Sequence, residues 1–130
     1  MDANRLRELD LFSGLSAREL DEVARLTDEV AVEAGRVLGR EGEIAYEFFV
    51  IEEGTASVEV DGRHVVDLGP GEWFGEIGLL AAERRTATVT ATTSMRLAVI
   101  FGPNFRALTK HLPQVGETIR AEIDERLARA

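Results

Sequence analysis

Two short runs with β character, Ala56 to Val60 and Arg63 to Leu68, are separated only by Asp61-Gly62. A connection of two residues forces the strands it joins to run antiparallel, and Asp-Gly tolerates the positive φ that matches a tight turn to the strands' own twist. This hairpin anchors the reading of its neighbours. Phe48-Phe49-Val50-Ile51 is apolar on both alternating faces, the pattern of a strand covered on two sides, and Gly54 ends it. Val30 and Val32 alternate with acids and alanine, Ala34-Gly35 turns, and Val37-Leu38 begins another extended piece. Gly69-Pro70-Gly71 breaks the chain again, and Thr86 to Thr92 and Arg96 to Phe101 read as two further strands.

Helical signals bracket this β region. Asn4 to Leu11 sets Leu6, Leu9 and Leu11 among charges, as in a short helix. Ser16-Ala17-Arg18-Glu19 has the pattern in which serine caps one backbone N–H while glutamate reaches back to another, and Leu20, Val23, Ala24 and Thr27 come next at helical spacing. Gly102-Pro103-Asn104 introduces a further helical segment, and Pro113 opens a terminal one with Val115, Ile119, Ile123 and Leu127 four residues apart. The fold expected is mainly β with flanking α: an antiparallel, jelly-roll-like β-roll with N-terminal helices and a C-terminal lid helix. One domain over 1–130 is expected, with N-terminal helices in 1–27, the roll in 28–101 and C-terminal helices in 102–130.

Composition narrows the chemistry. With 130 residues and 45% hydrophobic side chains the chain can bury one modest core. It has no cysteine, so disulfides, thiolate metal sites and cysteine nucleophiles are excluded, and His64 and His111 are the only imidazoles. No metal site is expected from two such distant histidines, which read as surface or edge residues. The N-terminus lacks an apolar signal core and no hydrophobic run is long enough to span a bilayer, which points to a cytoplasmic protein with no membrane partner. The net charge of −9 is uneven: residues 1 to 60 carry 15 acids and 6 bases, whereas Arg84 to Gly116 contains no acid at all. A cationic stretch inside an acidic protein suits a small anion better than a long nucleic acid, so no direct nucleic-acid partner is expected.

Gly69, Gly71 and Gly75 do not form a dinucleotide loop, because their spacing is G-x-G-x-x-x-G with Pro70 inside it. The segment from Phe74 to Val89 is more specific. Phe74-Gly75-Glu76-Ile77-Gly78-Leu79, a nine-residue step from Glu76 to Arg85, and then Arg85-Thr86-Ala87-Thr88-Val89 closely resemble the phosphate-binding cassette of the cyclic nucleotide-binding domain family. The resemblance spans nearly the whole chain and places the cassette at 74–89. It implies a sensor or regulatory module for cAMP or cGMP that signals through movement of its flanking helices, without a catalytic site and without a cofactor beyond that ligand. In that reading Gly75 lets backbone approach the sugar, and the turn from Glu76 through Ile77, Gly78 and Leu79 points N–H groups at the anion. Arg85 offers its planar fork of donors to the phosphate and Glu76 accepts the ribose 2′-hydroxyl proton. By resemblance, Thr86 and Ala87 also line the phosphate, and Thr86 leaves cGMP open. Val58 lies where relatives place an apolar residue against the base, although a core valine is equally natural. Arg126 aligns with an arginine that caps the base in certain prokaryotic channels, and a solvated arginine suits the position as well. Relatives often carry Gly and Pro where this chain has Ala82 and Arg84, so the loop is expected to be less preset. The partners expected are a cyclic nucleotide, an effector protein or domain of unknown identity, and a second copy in a homodimer. The other reading of the same residues is a ligand-free interaction or dimerisation module that retains the fold, in which Glu76 and Arg85 simply pair with each other.

Overall fold

The computed structural model describes residues 1–129, with side chains other than those of residues 81, 82 and 126–129. Two four-stranded antiparallel sheets form a roll, flanked on one side by helices. The first sheet has the order β1 (Thr27–Val32), β8 (Met95–Phe101), β3 (Glu47–Glu53) and β6 (Trp73–Phe74). The second has the order β2 (Val37–Gly39), β7 (Thr88–Ala91), β4 (Ala56–Val60) and β5 (Arg63–Leu68).

The hairpin read from Asp61-Gly62 joins β4 to β5 at the expected residues, with φ of 52° at Asp61 and 76° at Gly62. The alternation in β3 and β8 decides the layering. Phe48, Val50, Ala98 and Ile100 face the helices, whereas Phe49, Ile51, Leu97 and Val99 face the interior of the roll. Each strand therefore contributes to two cores, which is why Phe48 to Ile51 carries no polar residue.

At the N-terminus, α1 (Ala3–Arg7) and a 3-10 turn at Asp10–Phe12 replace the single helix expected over Asn4 to Leu11, yet Leu6, Leu9 and Leu11 are all buried. The Ser16–Glu19 capping box is present and starts α2 (Ala17–Arg25). Thr27 belongs to β1 rather than α2; its backbone pairs with Ile100, and its hydroxyl donates to the Val23 carbonyl at 2.6 Å. The strand expected from Thr86 is shorter, because residues 83–85 instead bond to the 42–45 loop.

Two helices come after the roll, α3 (Gly102–His111) and α4 (Pro113–Arg129). Over its described residues the α4 stripe is already covered, and the Leu127 side chain lies outside them. Val115, Ile119 and Ile123 pack in the core that also holds Leu6, Phe12, Phe105 and Leu108, and Gln114 Nε2 donates to Glu19 Oε2 at 3.3 Å. The stripe thus lies on the protein's own helical layer, not open to solvent or a partner. Burial of three branched side chains, about 1.5–3 kcal/mol each, favours that seat. Among the described residues no helix is long and apolar enough to cross a membrane.

Candidate ligand-binding site

The site begins where β6 runs out. Trp73 and Phe74 pair with Val50 and Phe49, and the chain then turns at Gly75 with φ of 97°. A Cβ there would lie 2.6 Å from Arg85 Nη1 and 2.7 Å from the Glu47 carbonyl, so only glycine allows both the dihedral and the close approach. Glu76 and Ile77 continue as a helical turn, and Gly78–Ala82 widens into a π-turn. Leu79 is buried and Ile77 packs beside it in the helix-side core, while Gly78 abuts Ala45. Glu76 is fully buried.

The chain leaves this turn through Glu83 in the left-handed region, with φ of 64°. Arg84 forms an isolated bridge with Ile44, and its Nη1 donates to the Gly42 carbonyl at 2.8 Å. The Arg85 N–H donates to Glu43 O at 2.7 Å, and the Arg85 carbonyl accepts from Gly42 N–H at 2.9 Å. These contacts fix the backbone from which the Arg85 side chain projects. Thr86 is exposed and Ala87 half-buried on the way into β7.

The guanidinium of Arg85 lies against Gly39 and Gly75, with Cζ 5.6 Å from the centroid of the Phe49 ring. Its Nη1 is buried without a hydrogen-bond partner among the described residues. Desolvation pushes the arginine pKa down, and the nearby charges of Glu47 and Glu76 oppose that shift. Arginine remains cationic at any ordinary pH, so a positive charge is held here with one donor unmet. That arrangement costs free energy until an anion supplies the missing acceptor.

At one end of the second sheet Ala56 pairs with Leu68 and Ala91, all buried. Two residues along, Val58 pairs with Val66 and Val89 on the same face; Val66 is 42% exposed and Val58 is half-buried against the inner core. Gly39 pairs with Val89 and also lies beside Arg85, so this apolar face adjoins the guanidinium. A cation beside an apolar face can hold a small anion that carries a flat apolar body.

Of the residues singled out from sequence, Gly75, Glu76 and Arg85 come together, with Ile77, Gly78 and Leu79 in the turn between them and Thr86 and Ala87 at its exit. Val58 lies half-buried against the inner core. Arg126 falls in α4, but its side chain lies outside the described residues. His64 is exposed, with Nε2 2.9 Å from Asp67 Oδ1, and His111 is exposed at the end of α3. Among the described residues no cluster of three metal-ligating side chains exists. Sequence reasoning did not find Gly39, Glu47 or Phe49. The one local signal was that Glu47 and Phe49 are two apart on a strand and therefore share a face.

A family model described as the cyclic nucleotide-binding domain matches residues 29–111. The chain belongs to that family. Among curated proteins it is 37% identical over 116 residues to a cyclic nucleotide-gated potassium channel of Rhizobium etli, covering 89% of this chain and 32% of the channel. It is 36% identical over 104 residues to the cAMP-dependent protein kinase regulatory subunit of Schizosaccharomyces pombe, covering 79% of this chain and 25% of that protein. This domain thus spans a third or less of those two relatives. Among solved structures, the regulatory domain of Toxoplasma gondii protein kinase A with cAMP superposes with a TM-score of 0.83 at 25% identity, covering 95% of this chain and 48% of that one. The catabolite activator protein of Thermus thermophilus gives 0.79 at 27% identity, covering 92% and 58%. The β-roll with flanking helices expected from the sequence is the fold of these proteins.

Proposed function

We propose that this cyclic nucleotide-binding domain binds cAMP or cGMP beside Arg85 and reports occupancy through its flanking helices. The observation that carries the reading is Arg85: a half-buried arginine whose Nη1 is buried with an unmet donor, beside the apolar inner face of the roll. The cyclic phosphate completes its hydrogen bonding, each charge-assisted contact contributing about 1.5–3 kcal/mol. The N–H groups of the turn at Ile77 and Gly78 face the same anion, while Leu79 N–H donates to the Gly75 carbonyl at 3.3 Å, and Thr86 and Ala87 lie at the far side. Glu76 accepts the 2′-hydroxyl proton, which favours an unmodified ribose over a 2′-deoxy or 2′-phosphorylated one. Val58 meets the base.

In this reading α4 leaves its seat on the helical layer to cover the base, where Arg126 caps it. A ligand shifts that equilibrium only by its differential affinity for the covered form. The role is regulatory and non-catalytic, in the cytoplasm, with the signal passed to an effector protein or domain or to a second copy of the chain. The relatives support such a division of labour, since a potassium channel and a kinase regulatory subunit each carry a matching domain within a longer protein.

Calorimetric titration of the purified protein with cAMP and with cGMP tests the proposal. Binding of either with a Kd of about 10 μM or tighter, close to −7 kcal/mol, is expected. No heat with either nucleotide at millimolar concentration would leave the ligand-free interaction module as the better account.

A further inference from the structure

Arg85 is supported from below by an aromatic ring. Glu47 and Phe49 are alternate residues on the inner face of β3, and Phe49 is 5% exposed. Its ring stacks on Phe74 with centroids 4.7 Å apart and planes 13° from parallel. The Arg85 guanidinium carbon stands 5.6 Å from the Phe49 centroid, inside the range over which a ring quadrupole attracts a cation. Phe74 is the residue before Gly75, so the ring stack and the glycine opening are fixed by the same short pairing of β6 with β3.

An arginine projecting from a loop has several rotatable bonds, and burying it without full hydrogen bonding would ordinarily let it swing back to water. Three features oppose that here. Gly39 lies against the guanidinium's Nε, where a Cβ would come within 3.2 Å; Glu47 and Glu76 supply opposite charge; and Phe49 supplies an attractive surface that makes no directional hydrogen bond. The last point matters for binding, because a ring holds the cation while leaving Nη1 free to donate to an incoming oxygen.

We propose that Phe49 is a positioning residue for the anion site: its ring electrostatics, and not only its bulk, hold the Arg85 guanidinium ready for the ligand phosphate. This rests on the assignment of Arg85 to the phosphate of a bound cyclic nucleotide. The ring's contribution depends on its electron density, so it is separable from packing.

The test replaces Phe49 by fluorinated phenylalanines of nearly the same shape, from one fluorine to five, in the full chain. Phe48 serves as the control, since it lies next in the same strand but stacks on Phe105 on the helix side, with centroids 4.3 Å apart. Affinity for cAMP and cGMP is measured by calorimetry and stability by thermal unfolding, alongside the Arg85 Nε–Hε resonance in the ligand-free protein. Graded weakening of binding with fluorination at Phe49, reaching about three- to thirtyfold for the pentafluoro ring, with no such trend at Phe48, is the expected result. Unchanged affinity at Phe49 in a protein that binds nucleotide would overturn the role. If the unmodified protein binds neither nucleotide, the ligand reading fails, and the ring support is judged on the Nε–Hε resonance alone. Movement of that resonance with fluorination at Phe49 but not at Phe48 sustains the ring contact, and an unmoved resonance rejects it.

Discussion

Substituting Gly75 by alanine isolates the geometry on which the site is built. The residue has φ of 97°, and its missing Cβ is what allows Arg85 Nη1 and the Glu47 carbonyl to approach within 2.6 and 2.7 Å of that position. Forcing an L side chain into positive φ costs about 1–2 kcal/mol, of which about 0.5–1 is returned by the lower entropy of the unfolded chain. The steric term adds to this, since one of the two crowding atoms is backbone in β3 and cannot swing aside. Together they give a net loss of about 2 kcal/mol, or about 5–10 °C in Tm for a chain of this size. Gly62→Ala is the internal reference: φ there is 76°, but nothing lies within 4 Å of its Cβ position, so only the dihedral cost applies. Urea unfolding of the two variants and the parent, with a cAMP titration of each, should show Gly75→Ala the less stable and at least tenfold weaker in binding. Gly62→Ala should keep its affinity. Equal stability losses, or undiminished binding in Gly75→Ala, would refute the close approach of arginine to this glycine.

Other outcomes are expected from the same structure. Arg85→Leu should weaken nucleotide binding by about a hundredfold, roughly 3 kcal/mol, and should lower Tm, because it removes a cation from beside the buried Glu76 carboxylate; calorimetry and thermal unfolding on one preparation check both halves. Glu52 carries a carboxyl pushed up to about 7 by burial and by the neighbouring Glu29 carboxylate, against the pull of Arg5 and Arg96. The folded protein therefore holds a proton that the unfolded chain releases near its ordinary value of 4.5, so stability should fall as pH rises from about 4.5 through 7, and Glu52→Gln should flatten that slope in urea midpoints. Glu83→Gly relieves a left-handed residue, φ of 64°, at the exit of the turn and should stabilise the protein by about 0.5–1 kcal/mol in chemical denaturation.

Much of this fold was legible because the decisive signals are local. Asp61-Gly62 fixes a hairpin by turn chemistry alone, Ser16 and Glu19 mark a helix start, and the apolar run at Phe48 to Ile51 announces a strand with two covered faces. The meeting of Gly75, Glu76 and Arg85 was legible as a spacing, Glu76 to Arg85, joined to a glycine that a close backbone approach explains. What escaped was tertiary. Thr27 sits at helical spacing, yet its backbone is taken by β8, and a pairing partner more than seventy residues away leaves no mark in the local pattern. The two-residue strand at Trp73 and Phe74 is too short to show a period. Whether the α4 stripe would lie on the roll, on a partner or on the N-terminal helices was equally invisible, since all three offer apolar surface. The supports of Arg85 at Gly39, Glu47 and Phe49 come from β2 and β3, and only folding brings them to a residue in the loop before β7.

The central claim is that the unmet donor of Arg85 receives a cyclic phosphate, and the guanidinium resonances of that residue report on it directly. On adding cAMP or cGMP to labelled protein, the Arg85 Nη–H signals should move downfield and sharpen as a charged acceptor takes the buried nitrogen, in step with the binding isotherm. Saturable nucleotide binding that leaves those signals where they were would contradict the account.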